Sequence, residues 1–146
     1  MVTRPSEAAV RAWTRLARAH RAALGTVEAR LKAADLPGLD WYDALLELER
    51  AGAKGLRPFE LQKELLFAQY NLSRLVDRLV AAGHVTRRAS DADGRGQLLS
   101  ITASGRALRR RMWPVYAEAI EEAIGRHLAD AEAGRLGDLL TKLYVR

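Results

Sequence analysis

In the segment DADGRGQLLSIT, residues 91–102, one guanidinium, Arg95, stands between two glycines with Asp93 two positions before it. Glycine backbone can turn tightly and come close to another surface, and a nearby carboxylate can aim a guanidinium through charge-assisted hydrogen bonds. Such an arginine is suited to entering a narrow, strongly negative groove. Shortly upstream lie Arg74, Arg78, Arg87 and Arg88, together with Gln69, Tyr70, Asn71 and Ser73. Arginine can pair two acceptors on a guanine edge, glutamine or asparagine can do the same on adenine, and all of them can bind phosphate. This chemistry is that of contact with double-stranded DNA. Taken alone, each feature has a plainer reading. Arg74 could pair with Asp77 along a helix, Ser73 could fill a tight junction, and DGRG could be an exposed turn with an incidental ion pair. The elements carrying these residues decide between the two.

Arg57 to Leu66 reads as a helix with Pro58 in its first turn, where the missing N–H costs nothing. QYNLSRLVDRLVAAG follows as a second helix, burying Leu72, Leu75, Val76, Leu79 and Val80 and stopped by Gly83. Two helices joined by a few residues form a helix-turn-helix, whose second helix enters the major groove by its N-terminal part. The hydrophobic period then changes to two. HVTRRAS and LLSIT read as the strands of a hairpin whose tip holds Arg95, a wing attached to the helix-turn-helix.

Around this lobe the chain reads as helix. A first helix, capped by Ser6, runs to about Ala34 with Val10, Trp13, Ala17, His20, Leu24, Val27 and Leu31 on one stripe. LPGLD ends it, and Asp40 is placed to cap the helix WYDALLELERAGA, with Asp43 in its first turn. After the wing a long helix is expected from about Ala103 to Ala129, kinked at Pro114 and about 40 Å long. A last helix follows, capped by Asp130. The fold class is mostly α with a small β-hairpin wing: a winged helix-turn-helix plus a helical dimerisation region.

Composition narrows the function classes. The chain of 146 residues is 49% hydrophobic and 29% charged, ordinary for a globular protein, and no apolar run is long enough to cross a membrane. With no signal-peptide pattern at the N-terminus, a cytoplasmic location is expected. There is no cysteine, and only His20, His84 and His127 are available as imidazole ligands, so neither a metal nor another cofactor is expected. Paired carboxylates, a Ser-His-Asp arrangement and a phosphate-binding glycine loop are also missing, which argues against an enzyme. The net charge of +6 is concentrated: residues 57–111 hold 11 basic and 5 acidic side chains. That segment contains the helix-turn-helix and the wing.

The stretch QYNLSRLVDRLVAAGHVTRRASDADGRGQLLSITASG resembles the signature region of the MarR family of bacterial winged-helix regulators. The matching positions are Arg74 through Leu79, Gly83, Asp93, Arg95, Ile101, Thr102 and Gly105. The resemblance implies one MarR-type domain over residues 1–146, with 40–103 as the winged lobe and 1–36 and 104–146 as dimerisation helices. The apolar surface of the terminal helices, more than one winged lobe can cover, agrees with a homodimer. A two-fold dimer would read a pseudo-palindrome with half-sites about one helical turn apart. Tyr70 and Asn71 depart from the small hydroxyl residues usual near the start of the family's recognition helix, so base preference does not carry over. Lacking cysteine, the chain does not follow the family's peroxide-sensing branch.

The resemblance further implies an effector cleft between dimer helices and winged lobe, of a kind that accepts aromatic or phenolic acids. Trp13, His20, Trp41, Tyr42, Trp113 and Tyr116 are the residues that could line it, with Trp41 and Tyr42 foremost. For Trp13 and Trp113 the alternative is dimer-core packing, and for His20 a satisfied interior or rim position. The expected function is that of a DNA-binding repressor released by a small-molecule effector. The alternative, a winged-helix module for protein interaction, calls for an apolar or acidic outer face on the recognition helix, where this chain has arginines.

Overall fold

The computed structural model describes residues 2–67, 70–89 and 96–145. In chain order it contains α1 (Glu7–Ala33), α2 (Leu39–Ala51), α3 (Pro58–Glu64), α4 (Leu72–Ala81), β1 (Val85–Ala89), β2 (Gln97–Ile101), α5 (Ala103–Ile120) and α6 (Asp130–Thr141). It divides into two compact units, one of residues 31–115 and one of residues 1–30 with 116–146.

The unit of residues 31–115 is a winged helix. Leu45 and Leu48 of α2, Leu61 of α3, Leu79 of α4, Leu99 of β2 and Met112 of α5 are fully buried. At about 1.5–3 kcal/mol for each large apolar side chain, this set supplies most of the drive to fold the lobe. The strands pair antiparallel with Val85 opposite Ile101 and Ala89 opposite Gln97. Leu56, just before α3, adds a bridge to Leu99 through two backbone hydrogen bonds of 2.9 and 2.8 Å. This bridge ties the wing to the helix-turn-helix.

The end of α4 is defined by glycine. Gly83, at φ +81°, donates to the Val80 carbonyl, and the next N–H, of His84, donates to the Leu79 carbonyl. This paired closure is the Schellman motif, which needs a left-handed residue. Thr102 Oγ1 then donates to the Gly83 carbonyl at 2.7 Å and accepts from the Gly105 N–H at 3.1 Å, so one hydroxyl caps α5 and holds the end of α4. The approach is close enough that a Cβ at Gly105 would collide with the His84 carbonyl oxygen.

In the other unit Ser6 caps α1 as expected, its Oγ accepting from Ala9 N–H at 3.0 Å. Arg30 clamps α1 to the chain beyond Tyr116, bonding Glu118 at 3.1 Å and Glu122 at 2.6 Å. No side chain among the described residues of α6 is buried, and Leu136, Leu139, Leu143 and Tyr144 stand exposed. No described helix is long and apolar enough to cross a membrane.

Several sequence expectations are corrected. The long helix does not run to Ala129. Its α-helical part ends at Ile120 and a π-helical turn, Glu121–Gly125, closes it with a bond from Arg126 N–H to the Glu121 carbonyl. Gly125, a weak helix former, sits where the regular ladder fails. Asp40 does not cap α2: the cap position is Gly38, and Asp40 lies inside the first turn, accepting from the Trp41 N–H. Asp130 likewise is the first helical residue of α6, while Glu132 reaches back to the Ala129 N–H at 3.0 Å. The helix-turn-helix helices are shorter than their apolar patterns suggest, because α3 ends at Glu64 and α4 begins only at Leu72.

Candidate nucleic-acid interface

Helix α4 is strongly two-sided. Leu75, Val76 and Leu79 are buried, and Ser73, Arg74, Asp77, Arg78 and Ala81 are exposed on the other side. Spacings of four put Arg74 beside Arg78 and Ser73 beside Asp77. Asn71, one of the side chains expected to read bases, is the cap of this helix: its Oδ1 accepts from the Arg74 N–H at 3.1 Å. Asn caps are among the best, since the oxygen satisfies a donor the helix leaves open. Tyr70 precedes α4, is half-buried and meets the Phe67 ring edge-on at 5.6 Å, so its ring packs within the lobe instead of standing on the exposed helix face. Gln69 lies outside the described residues, as do Asp93 and Arg95 of the wing tip. Gly96, at φ +91°, takes the left-handed backbone the tip was expected to need.

Adjacent residues of a strand point to opposite sides, and β1 sends its two arginines apart. Arg87 turns to α4, where its Nη2 bonds Asp77 Oδ1 at 2.6 Å. The partner of Asp77 is thus a wing-strand arginine and not Arg74, as spacing along the helix had suggested. Arg88 reaches the Ala53 carbonyl at 3.4 Å. A groove of about 240 Å³ opens between α4 and the wing, lined by Pro58, Leu72, Ser73, Val76, Asp77, Arg87 and Gln97. A second of about 600 Å³ continues along the foot of the wing past Arg87, Arg88 and Gly96. Arg57 adds a guanidinium here, its Nη1 3.7 Å from where a Cβ on Gly96 would be. The exposed side of α4 and the base of the wing therefore form one cationic, hydrogen-bonding surface.

One residue that positions this surface was missed. The sequence suggests for Asp43 no more than a first-turn acid favoured by the helix dipole. It is buried, at 3% exposure, and its Oδ2 accepts from the Leu66 N–H at 2.6 Å, pinning the turn between α3 and α4. Burial pushes its pKa up to about 6, against a hydrogen bond from Leu66 that pulls it down, with Glu47 adding to the rise. The available signal was its place on the inward stripe with Leu39 and Tyr42, which are buried with it.

The six aromatic and imidazole positions expected near an effector cleft divide between the two units. Trp41, Tyr42 and Trp113 belong to the winged unit; Trp13, His20 and Tyr116 belong to the other. Tyr42 is buried and stacks on Trp113, 6.2 Å between centroids and 25° between planes. Arg109 joins them, bonding the Tyr42 hydroxyl at 3.4 Å and pairing with Glu49. Trp41 turns elsewhere, edge-on to His84 at 5.9 Å, and His84 Nδ1 lies 2.7 Å from Ser104 Oγ. In the single chain Trp13 is 66% exposed and His20 is exposed too, so neither is in an interior position; Tyr116 is half-buried.

Comparison with known proteins follows the same lines. Residues 34–96 match the sequence model of the MarR family. The Multiple antibiotic resistance protein MarR of Escherichia coli is 31% identical over 88 residues, 60% of this chain and 61% of that one. The chain spans about three fifths of the length of the curated relatives it matches. A MarR family transcriptional regulator from Streptomyces coelicolor, solved in complex with DNA, superposes with a TM-score of 0.81 at 24% identity, covering 96% of this chain and 91% of that one. BpsR of Bordetella bronchiseptica, whose DNA binding is regulated by 6-hydroxynicotinic acid, superposes at 0.82 with 21% identity over 98% and 99% of the two chains. The fold is that of these proteins, and residues 34–96, the part that matches the MarR family model, lie within its winged lobe.

Proposed function

We propose that this chain is a MarR-family, sequence-specific DNA-binding transcriptional regulator, a repressor that binds a pseudo-palindromic operator as a homodimer. The observation that carries this reading is the exposed side of α4, with Arg74 and Arg78, continued by Arg87 and Arg88 at the base of the wing. A helix-turn-helix places such a helix in the major groove, and a wing beside it reaches the backbone or the minor groove. Arg95 at the wing tip would enter the minor groove, its guanidinium aimed by Asp93. Asn71 contributes by fixing the start of the helix that carries Ser73 and Arg74.

Residues 1–36 and 104–146 would pair two chains around a two-fold axis. The exposed Val10, Trp13, Leu136, Leu139 and Leu143 support this, since a monomer would leave that apolar surface wet. The Tyr42–Trp113 stack with Arg109 beside it favours an aromatic or phenolic acid as releasing ligand.

The test is a mobility shift on the DNA upstream of the protein's own gene, with Arg74→Ala and Arg95→Ala alongside the wild type. A shift at low salt that weakens steeply as salt rises, and weakens further in both variants, is the expected result. A wild type that shifts no fragment at low salt would refute the reading.

A further inference from the structure

Asp77 is an acid in the middle of a face that otherwise carries Ser73, Arg74 and Arg78. Its side chain is 65% exposed, so no buried partner demands it, and the cap of α4 is Asn71. Facing a duplex, a carboxylate there would be repelled by phosphates much as its arginine neighbours are attracted. In the free protein it has a definite occupation: Oδ1 accepts from Arg87 Nη2 at 2.6 Å, across the groove between α4 and the wing. The same arginine lines the larger groove at the foot of the wing. Arg87 therefore stands between an internal carboxylate and the place where an external anion would sit.

We propose that Asp77 competes with DNA phosphate for Arg87 and so tempers how tightly, and with what salt dependence, this face holds a duplex; this rests on the DNA-binding reading above. A duplex that brings a phosphate to the groove must take the guanidinium from Asp77, and the carboxylate left behind takes up a cation from solution. That uptake offsets one of the counterion releases that drive binding. Non-specific binding consists almost wholly of such release, so one phosphate's share is read most directly on a duplex without base contacts. By holding back one cation, Asp77 thus lowers both the affinity of this face for any duplex and the salt dependence of that affinity.

The experiment uses fluorescence anisotropy with a labelled mixed-sequence duplex and a duplex from upstream of the gene, titrated in sodium chloride. Wild type, Asp77→Asn, Arg87→Ala and the double variant are compared. Asp77→Asn is expected to bind the mixed-sequence duplex about two- to fivefold more tightly, the fold-change that corresponds to the roughly 0.4–1 kcal/mol of an exposed ion pair. The slope of log K against log salt should steepen by up to about 0.9, one phosphate's share, and both gains should vanish when Arg87 is also removed. Weaker binding by Asp77→Asn, or an unchanged affinity and slope, would overturn the proposal, because the pair would then serve only to hold the lobe. Gains that persist without Arg87 would also overturn it, since they would reflect only the removal of a negative charge. A wild type that binds neither duplex overturns the DNA-binding reading itself and the proposal with it. Wild-type binding beside a silent Asp77→Asn overturns the proposal alone.

Discussion

Asp43→Asn tests the claim that a buried, ionised carboxylate pins the turn of the helix-turn-helix. In the folded chain the Asp43 pKa is raised to about 6, from an ordinary value of 3.8, chiefly because burial disfavours the charge. The native state therefore binds this proton more tightly than the unfolded state does. Above pH 6 the fold carries the full penalty of an ionised buried acid; as pH falls through 6 the penalty is relieved, and below about 4 it is gone. A rise of about two pKa units at 1.36 kcal/mol each puts the penalty at about 3 kcal/mol, or roughly 6–12 °C in Tm for a chain of this size. Asparagine keeps an oxygen for the Leu66 N–H but cannot ionise, and its amide adds donors whose burial has a pH-independent cost. The informative quantity is therefore the difference between wild type and variant as a function of pH, in which that cost and the other titrating groups cancel. Urea unfolding followed by circular dichroism between pH 4 and 8 should show the variant gaining on the wild type by about 3 kcal/mol as pH rises, most of it between pH 4 and 6. A difference that stays flat over the range would refute the argument that Asp43 is ionised and desolvated in the folded lobe.

Arg74→Ala should weaken binding to all duplex sequences and reduce the salt slope by about 0.9 without changing thermal stability, as measured by anisotropy and a melting curve. Glu49→Gln leaves the largely buried Arg109 without its carboxylate and should lower stability by about 2 kcal/mol in urea unfolding; the Tyr42–Trp113 stack beside it makes tryptophan fluorescence a second readout. Gly105→Ala drives a Cβ into the His84 carbonyl, so it should lower Tm markedly, and an unchanged melting curve would contradict the close approach of α5 to the end of α4. Leu139→Glu places a charge on the exposed apolar side of α6; light scattering should show a dimer for the wild type, as proposed, and a monomer for the variant.

Elements and faces were legible because they depend on period and on local chemistry. The stripe of α4, the Ser6 cap, Pro58 at the start of α3 and the glycine stop at Gly83 each arise from interactions within a few residues, and the structure has them where expected; the two wing strands also pair as expected, although β1 buries only Val85. Helix ends were less legible. An apolar pattern continues through Leu65 and Leu66, which lie beyond the helix, so α3 and α4 read longer than they are. Asp40 and Asp130 illustrate the same limit. Each is a good capping residue placed one or two positions too late, and the chain caps instead with a glycine carbonyl turn and with Glu132.

Partners of charged groups were the least legible, and the reason is geometric. Along a helix only neighbours three or four positions away can be foreseen, which is why Arg74 looked like the partner of Asp77. The observed partner, Arg87, is ten residues on, in a strand whose position depends on the glycine closure of α4. The partner of Asp43 is 23 residues away and is a backbone N–H, which has no signature in side-chain chemistry at all. In both cases an acid that local reasoning assigns to helix stability acts on a neighbouring element: Asp43 holds the turn that aims α4, and Asp77 holds the wing-strand arginine beside it. Arginines can be counted from the sequence of a cationic surface. How many are at the disposal of an external anion is set by acids such as these, and only tertiary contacts tell which arginine each acid holds.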